Sequence, residues 1–195
     1  MSDLPLVTSA FLNVTNACNA CCVYCFANHS PEYLDYSVAQ DAADFLIKNA
    51  EAQGDIPSIN FFGGEPMLCW DSIIVPLTKY VREKCGDRFN LSMTSNCTLI
   101  NRERAKFMKD NGIGLLFSMD GGQGTQNLNR PMRNGRSSFD ILENKIPIIL
   151  ASSWLICRTI QGIVSSPASV LAILRRCPLT ISYRPSSFGR TSAGV

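Results

Sequence analysis

Four of the chain's nine cysteines, Cys18, Cys21, Cys22 and Cys25, stand within eight residues of one another. Neighbouring cysteines in so short a stretch rarely meet disulfide geometry with each other, and in a reducing compartment such a group more often holds a metal. Cys18, Cys22 and Cys25 read as C-x3-C-x2-C. Three thiolates on one loop can cap three irons of a [4Fe-4S] cluster, whereas most iron–sulfur proteins supply four cysteines per cluster. The fourth iron then stays open to another ligand. Zinc is the competing metal, because Cys18/Cys21 and Cys22/Cys25 also form two C-x2-C pairs. Those pairs abut, while structural zinc sites usually set their ligand pairs roughly a dozen residues apart. Cys21 is surplus to the cluster, although a ferredoxin-like electron carrier would use such a cysteine as its fourth ligand. Cys69, Cys85, Cys97, Cys157 and Cys177 are most simply buried thiols, and His29 a solvated loop residue.

Such a loop needs a rigid support. Apolar runs alternate with segments of helical period, the sign of βα units on a parallel sheet. A first strand is expected at Ser9–Thr15, directly before the cysteines. Ser37 and Gln40 form a capping box that predicts a helix over residues 37–52, with Val38, Ala42, Phe45 and Leu46 on its apolar face. Further strands are expected at residues 58–62, 89–94, 113–119, 154–160 and 180–184. Helices are expected at 71–85 with a kink at Pro76, at 101–111 capped by Asn101, at 139–149 and at 168–176. Residues 120–135 read as a polar, Gly-rich loop. The expected fold class is therefore α/β, a partial (β/α)6 TIM-like barrel, with truncation after strand five or six as one expectation. In such barrels function sits at the C-terminal ends of the strands.

Composition excludes several classes. With 195 residues, 46% of them hydrophobic, and 18 Lys+Arg against 16 Asp+Glu, the chain suits one compact domain. A net charge of +2 gives no argument for nucleic acid, and no apolar run reaches the roughly 18 residues of a membrane helix. The start has no basic segment before its apolar stretch, so a cytoplasmic location without a signal peptide is expected. Charge is uneven along the chain, −4 through Glu143 and +6 beyond it. Residues 151–195 hold nine serines and no acid, which reads either as a basic, Ser-rich tail or as an early stop or a departure from the native reading frame after residue 160. Residues 1–185 are assigned to the core and 186–195 to an unstructured tail.

The cysteine loop, with Tyr24 before its last cysteine, resembles the hallmark of the radical S-adenosylmethionine (radical SAM) enzymes. Phe61-Phe62-Gly63-Gly64-Glu65-Pro66 resembles that family's strand-two motif, Thr94-Ser95-Asn96 its strand-three T-N-G position, and Ser118-Met119-Asp120-Gly121 its strand-four S-x-D-G. Taken singly, the last three are ordinary turns, since Gly, Pro and Asp-Gly punctuate loops anyway. Their order behind the cysteines carries the resemblance. FFGGEP and SMDG, with Arg130 and Ser138-Phe139, are most similar to the anaerobic sulfatase-maturase or SPASM branch, which modifies peptides and proteins. The further cysteines that SPASM members carry for auxiliary clusters have no counterpart after Cys157, where Cys177 stands alone.

The resemblance implies a [4Fe-4S] cluster on Cys18, Cys22 and Cys25, with S-adenosyl-L-methionine bound to the open iron by its amino group and carboxylate. An electron delivered to the cluster would cleave the sulfonium to a 5′-deoxyadenosyl radical, which abstracts hydrogen from a peptide or protein substrate. A low-potential donor, flavodoxin or ferredoxin, would be a partner. The Gly63-Gly64 carbonyls and Glu65 would meet the ligand's ammonium, and Ser118, Arg133 or Arg158 its carboxylate. Asn96 would reach the ribose, and the backbone around Tyr24 to Phe26 the adenine. No residue stands out as a catalytic base. The rival expectation is a non-catalytic remnant that binds a cluster or zinc through the same loop.

Overall fold

A computed structural model describes residues 6–151 and 155–156. Five parallel strands run β1 (Ser9–Thr15), β2 (Ser58–Gly63), β3 (Asn90–Ser95), β4 (Ile113–Phe117) and β5 (Leu155–Ile156), and neighbours in the sheet are neighbours in sequence. Right-handed crossovers between strands laid down in one direction put the connecting helices on one face, so the sheet curls like a barrel segment instead of being wound from both sides. Among the described residues β5 does not pair back to β1, and the barrel is open. The expected elements at 168–176 and 180–184, the tail, and Cys157, Arg158 and Cys177 lie outside the described residues.

Side chains alternate along each strand, and the row made of Leu12, Val14, Ile59, Phe61, Leu91, Met93, Ile113 and Leu115 is buried. Opposite it pack α1 (Tyr36–Gln53), α2 (Val75–Cys85) and α3 (Arg102–Asp110), through Ala39, Ala43, Leu46, Leu77, Val81, Ala105 and Met108. The other face is polar. There Asn60 Nδ2 donates to Ser92 Oγ at 2.8 Å and Thr94 Oγ1 donates to Asn60 Oδ1 at 3.1 Å. Phe11, 75% exposed, meets Phe62 edge to face at the margin of that surface.

Several local expectations are corrected. Helix α1 begins at Tyr36 after Asp35, whose side chain caps nothing, so Ser37 lies inside the first turn and forms no capping box. Its buried residues are Ala39, Ala43, Leu46, Asn49 and Ala50, while Val38 and Phe45 face solvent. The segment after β2 enters through a 3-10 turn, Pro66–Cys69, and a π-helical turn, Trp70–Ile74, before α2. The expected kink at Pro76 takes this form because proline has no N–H and crowds the carbonyl four residues back. Residues 120–135 contain a helix, α4 (Gln123–Asn129), and the expected helix at 139–149 is two, α5 (Ser138–Glu143) and α6 (Ile146–Ala151).

The cap of α3 is as expected, Asn101 Oδ1 accepting from Arg104 N at 2.8 Å. Asn101→Ala should therefore lower stability by about 1 kcal/mol, read as a lower urea midpoint at unchanged slope.

Candidate functional site

Parallel strands bring Thr15, Gly63, Ser95 and Phe117, the C-terminal ends of β1 to β4, to one rim. The cysteine loop leaves that rim from β1 and returns to it. Thr15 Oγ1 accepts from Ala17 N at 3.0 Å and donates to Glu32 O at 2.6 Å, and Leu34 N donates to Val14 O at 2.9 Å. Its base is pinned to the β2 end, where Gly64 N donates to Thr15 O at 2.8 Å and Glu65 N to Ala17 O at 2.9 Å.

That approach explains the glycine pair. A Cβ on Gly63, whose φ is +130°, would sit 2.2 Å from Thr15 O, and one on Gly64 would sit 2.2 Å from Ala17 O. Backbone cannot yield as a flexible side chain does. Gly64→Ala should displace the start of the cysteine loop and cost at least about 1–3 kcal/mol, measured as a lower melting temperature together with weaker iron retention.

Glu65 turns inward. Its side chain is fully buried and accepts from Met67 N (3.0 Å), Ser95 Oγ (2.7 Å) and Asn96 N (2.9 Å). Burial pushes its carboxyl above the ordinary value, while these donors and the charge of Arg104 pull it back. The carboxylate thus ties the end of β2 to the end of β3, and the group this residue offers toward the rim is its backbone.

Asn96 is drawn to the loop as well. Its Nδ2 donates to Asn19 Oδ1 at 2.9 Å and lies 4.0 Å from Cys18 Sγ, its Oδ1 accepts from Thr98 N and Oγ1, and Asn19 Nδ2 donates to Thr98 Oγ1 at 2.8 Å. Sequence reasoning missed Asn19 and Thr98, and no spacing rule would have found them. The residue after Asn96 is Cys97, a buried thiol at φ +58°, in left-handed backbone that favours glycine. Ser95-Asn96-Cys97, with its third residue in left-handed backbone, thus has the conformation that a T-N-G sequence suits.

Around the thiols, Cys18 and Cys22 are partly buried and Cys25 is exposed. Burial raises the Cys18 thiol to about 11, and the charges of Cys22 and Cys25 both reach it. Burial also raises Cys22, against the pull of the Arg130 guanidinium. The Cys25 thiol sits 3.2 Å from His29 Nε2, so His29 is a neighbour of the loop's last thiol and not merely solvated. Phe26 is 91% exposed and Tyr24 49%. Ser118 N donates to Ser95 O at 3.0 Å, placing Ser118 on the same rim. Arg133 Nε donates to Cys18 O at 2.9 Å.

The donor set fits an iron–sulfur cluster. Three cysteine sulfurs come from one loop, each within electrostatic reach of the others, and sulfur is the soft ligand that an iron–sulfur cluster takes.

The architecture is thus an open barrel segment that holds a three-thiol loop at its functional rim. The Radical SAM superfamily model matches residues 12–149, and the chain belongs to that superfamily. It is 35% identical over 129 residues to the Fe-coproporphyrin III synthase of Methanosarcina barkeri, covering 66% of this chain and 30% of that enzyme. It is 28% identical over 148 residues to the cysteine-type anaerobic sulfatase-maturating enzyme of Clostridium perfringens, covering 72% and 40%. The solved structure of anSMEcpe with bound AdoMet and Cp18Cys peptide superposes with a TM-score of 0.67 at 25% identity, over 76% of this chain and 42% of that one. The chain spans less than half the length of these relatives.

Proposed function

We propose that this chain is the cofactor-binding core of a radical SAM enzyme that modifies a peptide or protein. The single observation behind this reading is the three-thiol loop seated on the C-terminal rim of a parallel barrel segment, with the Gly63-Gly64 turn packed against its base. Cys18, Cys22 and Cys25 would hold the [4Fe-4S] cluster, which when bound supplies the electron that breaks S-adenosylmethionine reductively.

The chain's own residues do the positioning. Carbonyls of the Gly63-Gly64-Glu65 turn would take the ligand's ammonium, with Glu65 fixing that turn from within. Ser118 and Arg133 would take the carboxylate, Asn96 the ribose, and the exposed segment of Tyr24 to Phe26 the adenine. A ligand seated there would be shielded from water by the rim loops, which protects a reactive carbon until its target hydrogen is presented. A low-potential flavodoxin or ferredoxin would deliver the electron, in the cytoplasm. Among the described residues no helix is long and apolar enough to cross a membrane.

Peptide modification is supported by the likeness to the sulfatase-maturating enzyme and to the solved structure with bound Cp18Cys peptide, while the likeness to the Fe-coproporphyrin III synthase makes small-molecule chemistry the alternative. The test is anaerobic reconstitution with iron and sulfide, then S-adenosylmethionine and dithionite. Release of 5′-deoxyadenosine supports the enzyme; bound zinc or iron with no such release supports the non-catalytic alternative.

A further inference from the structure

One ion pair shut away from water lies beside the cysteine loop. Arg130 Nε donates to Asp120 Oδ1 at 2.9 Å, and the two side chains are only 9% and 8% exposed. The pair reaches into the loop through Tyr24, whose hydroxyl donates to the other carboxylate oxygen, Asp120 Oδ2, at 2.6 Å and whose ring lies 5.4 Å below the guanidinium. Tyr24 stands between Cys22 and Cys25. The backbone that carries this carboxylate is held as well, since Asp120 N donates to Gln126 Oε1 at 2.9 Å and the buried Gln126 donates onward to Ser138 Oγ.

The backbone repeats the connection. Cys21 N donates to Pro131 O, Val23 N to Asn129 O and Arg133 N to Asn19 O, and Ala20 forms an antiparallel bridge with Met132. The loop is therefore stapled, on both sides of Cys22, to a segment more than a hundred residues further along the chain. A buried ion pair is a poor source of stability for its own sake, because desolvation offsets the attraction. It does put two opposite charges at fixed places in a medium of low dielectric, where they act strongly on a third. Both stand against Tyr24, the residue between Cys22 and Cys25 on the loop.

We propose that Asp120, Arg130 and Tyr24 form a positioning latch that fixes the Cys22 to Cys25 stretch and sets the charge felt by the metal group bound there. The proposal rests on the cluster reading above. It has a consequence of sign. Reduction adds one electron's negative charge to the group, so a fixed cation favours the reduced form and a fixed anion opposes it. Asp120→Asn removes the anion and Arg130→Gln removes the cation, yet both break the same bond. If the pair only shaped the loop, the two variants would disturb the bound group in the same direction.

Parent, D120N, R130Q and R130K chains are reconstituted anaerobically with iron and sulfide and titrated with dithionite, the reduced cluster being followed by electron paramagnetic resonance. The midpoint potential should rise in D120N and fall in R130Q. R130K, which keeps the charge but not the planar fork, should return toward the parent. Shifts of one sign in both charge-removing variants, or no shift in either, overturn the proposal.

A second measurement needs no metal. In the metal-free chain, Tyr24→Phe and Asp120→Asn should each lower the urea midpoint, and the double variant should lose clearly less than the two losses added. Additive losses overturn the latch, also where a variant takes up no iron. A parent chain that takes up no cluster would defeat the functional reading instead, and this cycle would still decide the latch.

Discussion

Glu65→Ala is expected to cost the fold about 3–5 kcal/mol, the sum of two or three unsatisfied donors and a large share of the 5–15 kcal/mol typical of a domain. The reason lies in what the carboxylate leaves behind. Met67 N and the Ser95 hydroxyl donate to it inside the core and Asn96 N donates to it at the core's edge, and all three lose their acceptor. An unsatisfied buried donor costs about 1–3 kcal/mol. The Ser95 hydroxyl also accepts from Cys97 N at 2.9 Å, so the disturbance should spread into the turn that carries Asn96. Equilibrium unfolding by urea, followed by far-UV circular dichroism, measures the loss.

Glu65 should also leave a signature in pH. Its carboxyl is pushed above the ordinary value in the folded chain, so the folded state binds that proton more tightly than the unfolded one. The corresponding stability is fully present below the ordinary carboxylate value and is lost as pH rises through the raised one. Other acids move the opposite way; the Lys84 partner holds Asp44 low, for example. The difference between the parent and Glu65→Gln isolates Glu65, and it should shift against the parent as pH climbs. A difference that stays flat from acid to neutral pH contradicts the assignment.

The second large effect concerns the thiols. Cys18→Ala, Cys22→Ala or Cys25→Ala should reduce bound iron from about four atoms per chain to a small remainder, because a cube capped at only two corners is open on half its irons. Cys21→Ala should leave iron content near the parent's, since its exposed thiol is turned to Pro131 O at 3.4 Å. Colorimetric iron and sulfide determination on anaerobically reconstituted chains separates the two outcomes. Equal losses at all four positions would mean that the loop holds metal in another way.

Much of this was legible in the residues, for reasons that differ by element. Strand β1 was expected at Ser9–Thr15 and lies there, because alternating burial along a strand is written in the order of its side chains. The start of α1 was misplaced because Ser37 and Gln40 have the right types for a capping box, while the chain turns two residues sooner at an Asp35 that caps nothing. Helix α4 was hidden for a different reason. Its sequence QGTQNLN has no apolar face, its buried residue is Gln126, and the tertiary bonds of Gln126 to Asp120 and Ser138 make that burial tolerable. Pro147 splits the helix expected over 139–149, falling within the first turn of α6, where a missing N–H is tolerated.

The candidate site divides in the same way. The cysteines and the Gly63-Gly64 turn announce themselves by type and spacing. Asn19 and Thr98 are common polar residues far apart in sequence, and only folding brings them beside Asn96. The inward turn of Glu65 was equally hidden, since a glutamate after two glycines at a strand's end reads as a surface charge.

The central claim is that three thiolates of this chain leave one iron of a cube free for S-adenosylmethionine. Mössbauer spectra of chain reconstituted with iron-57, recorded with and without S-adenosylmethionine, test it most directly. The account predicts a four-iron cube in which one iron changes its signal when the ligand is added and three do not. A cube whose four irons all ignore the ligand, or iron bound as single ions, would contradict it.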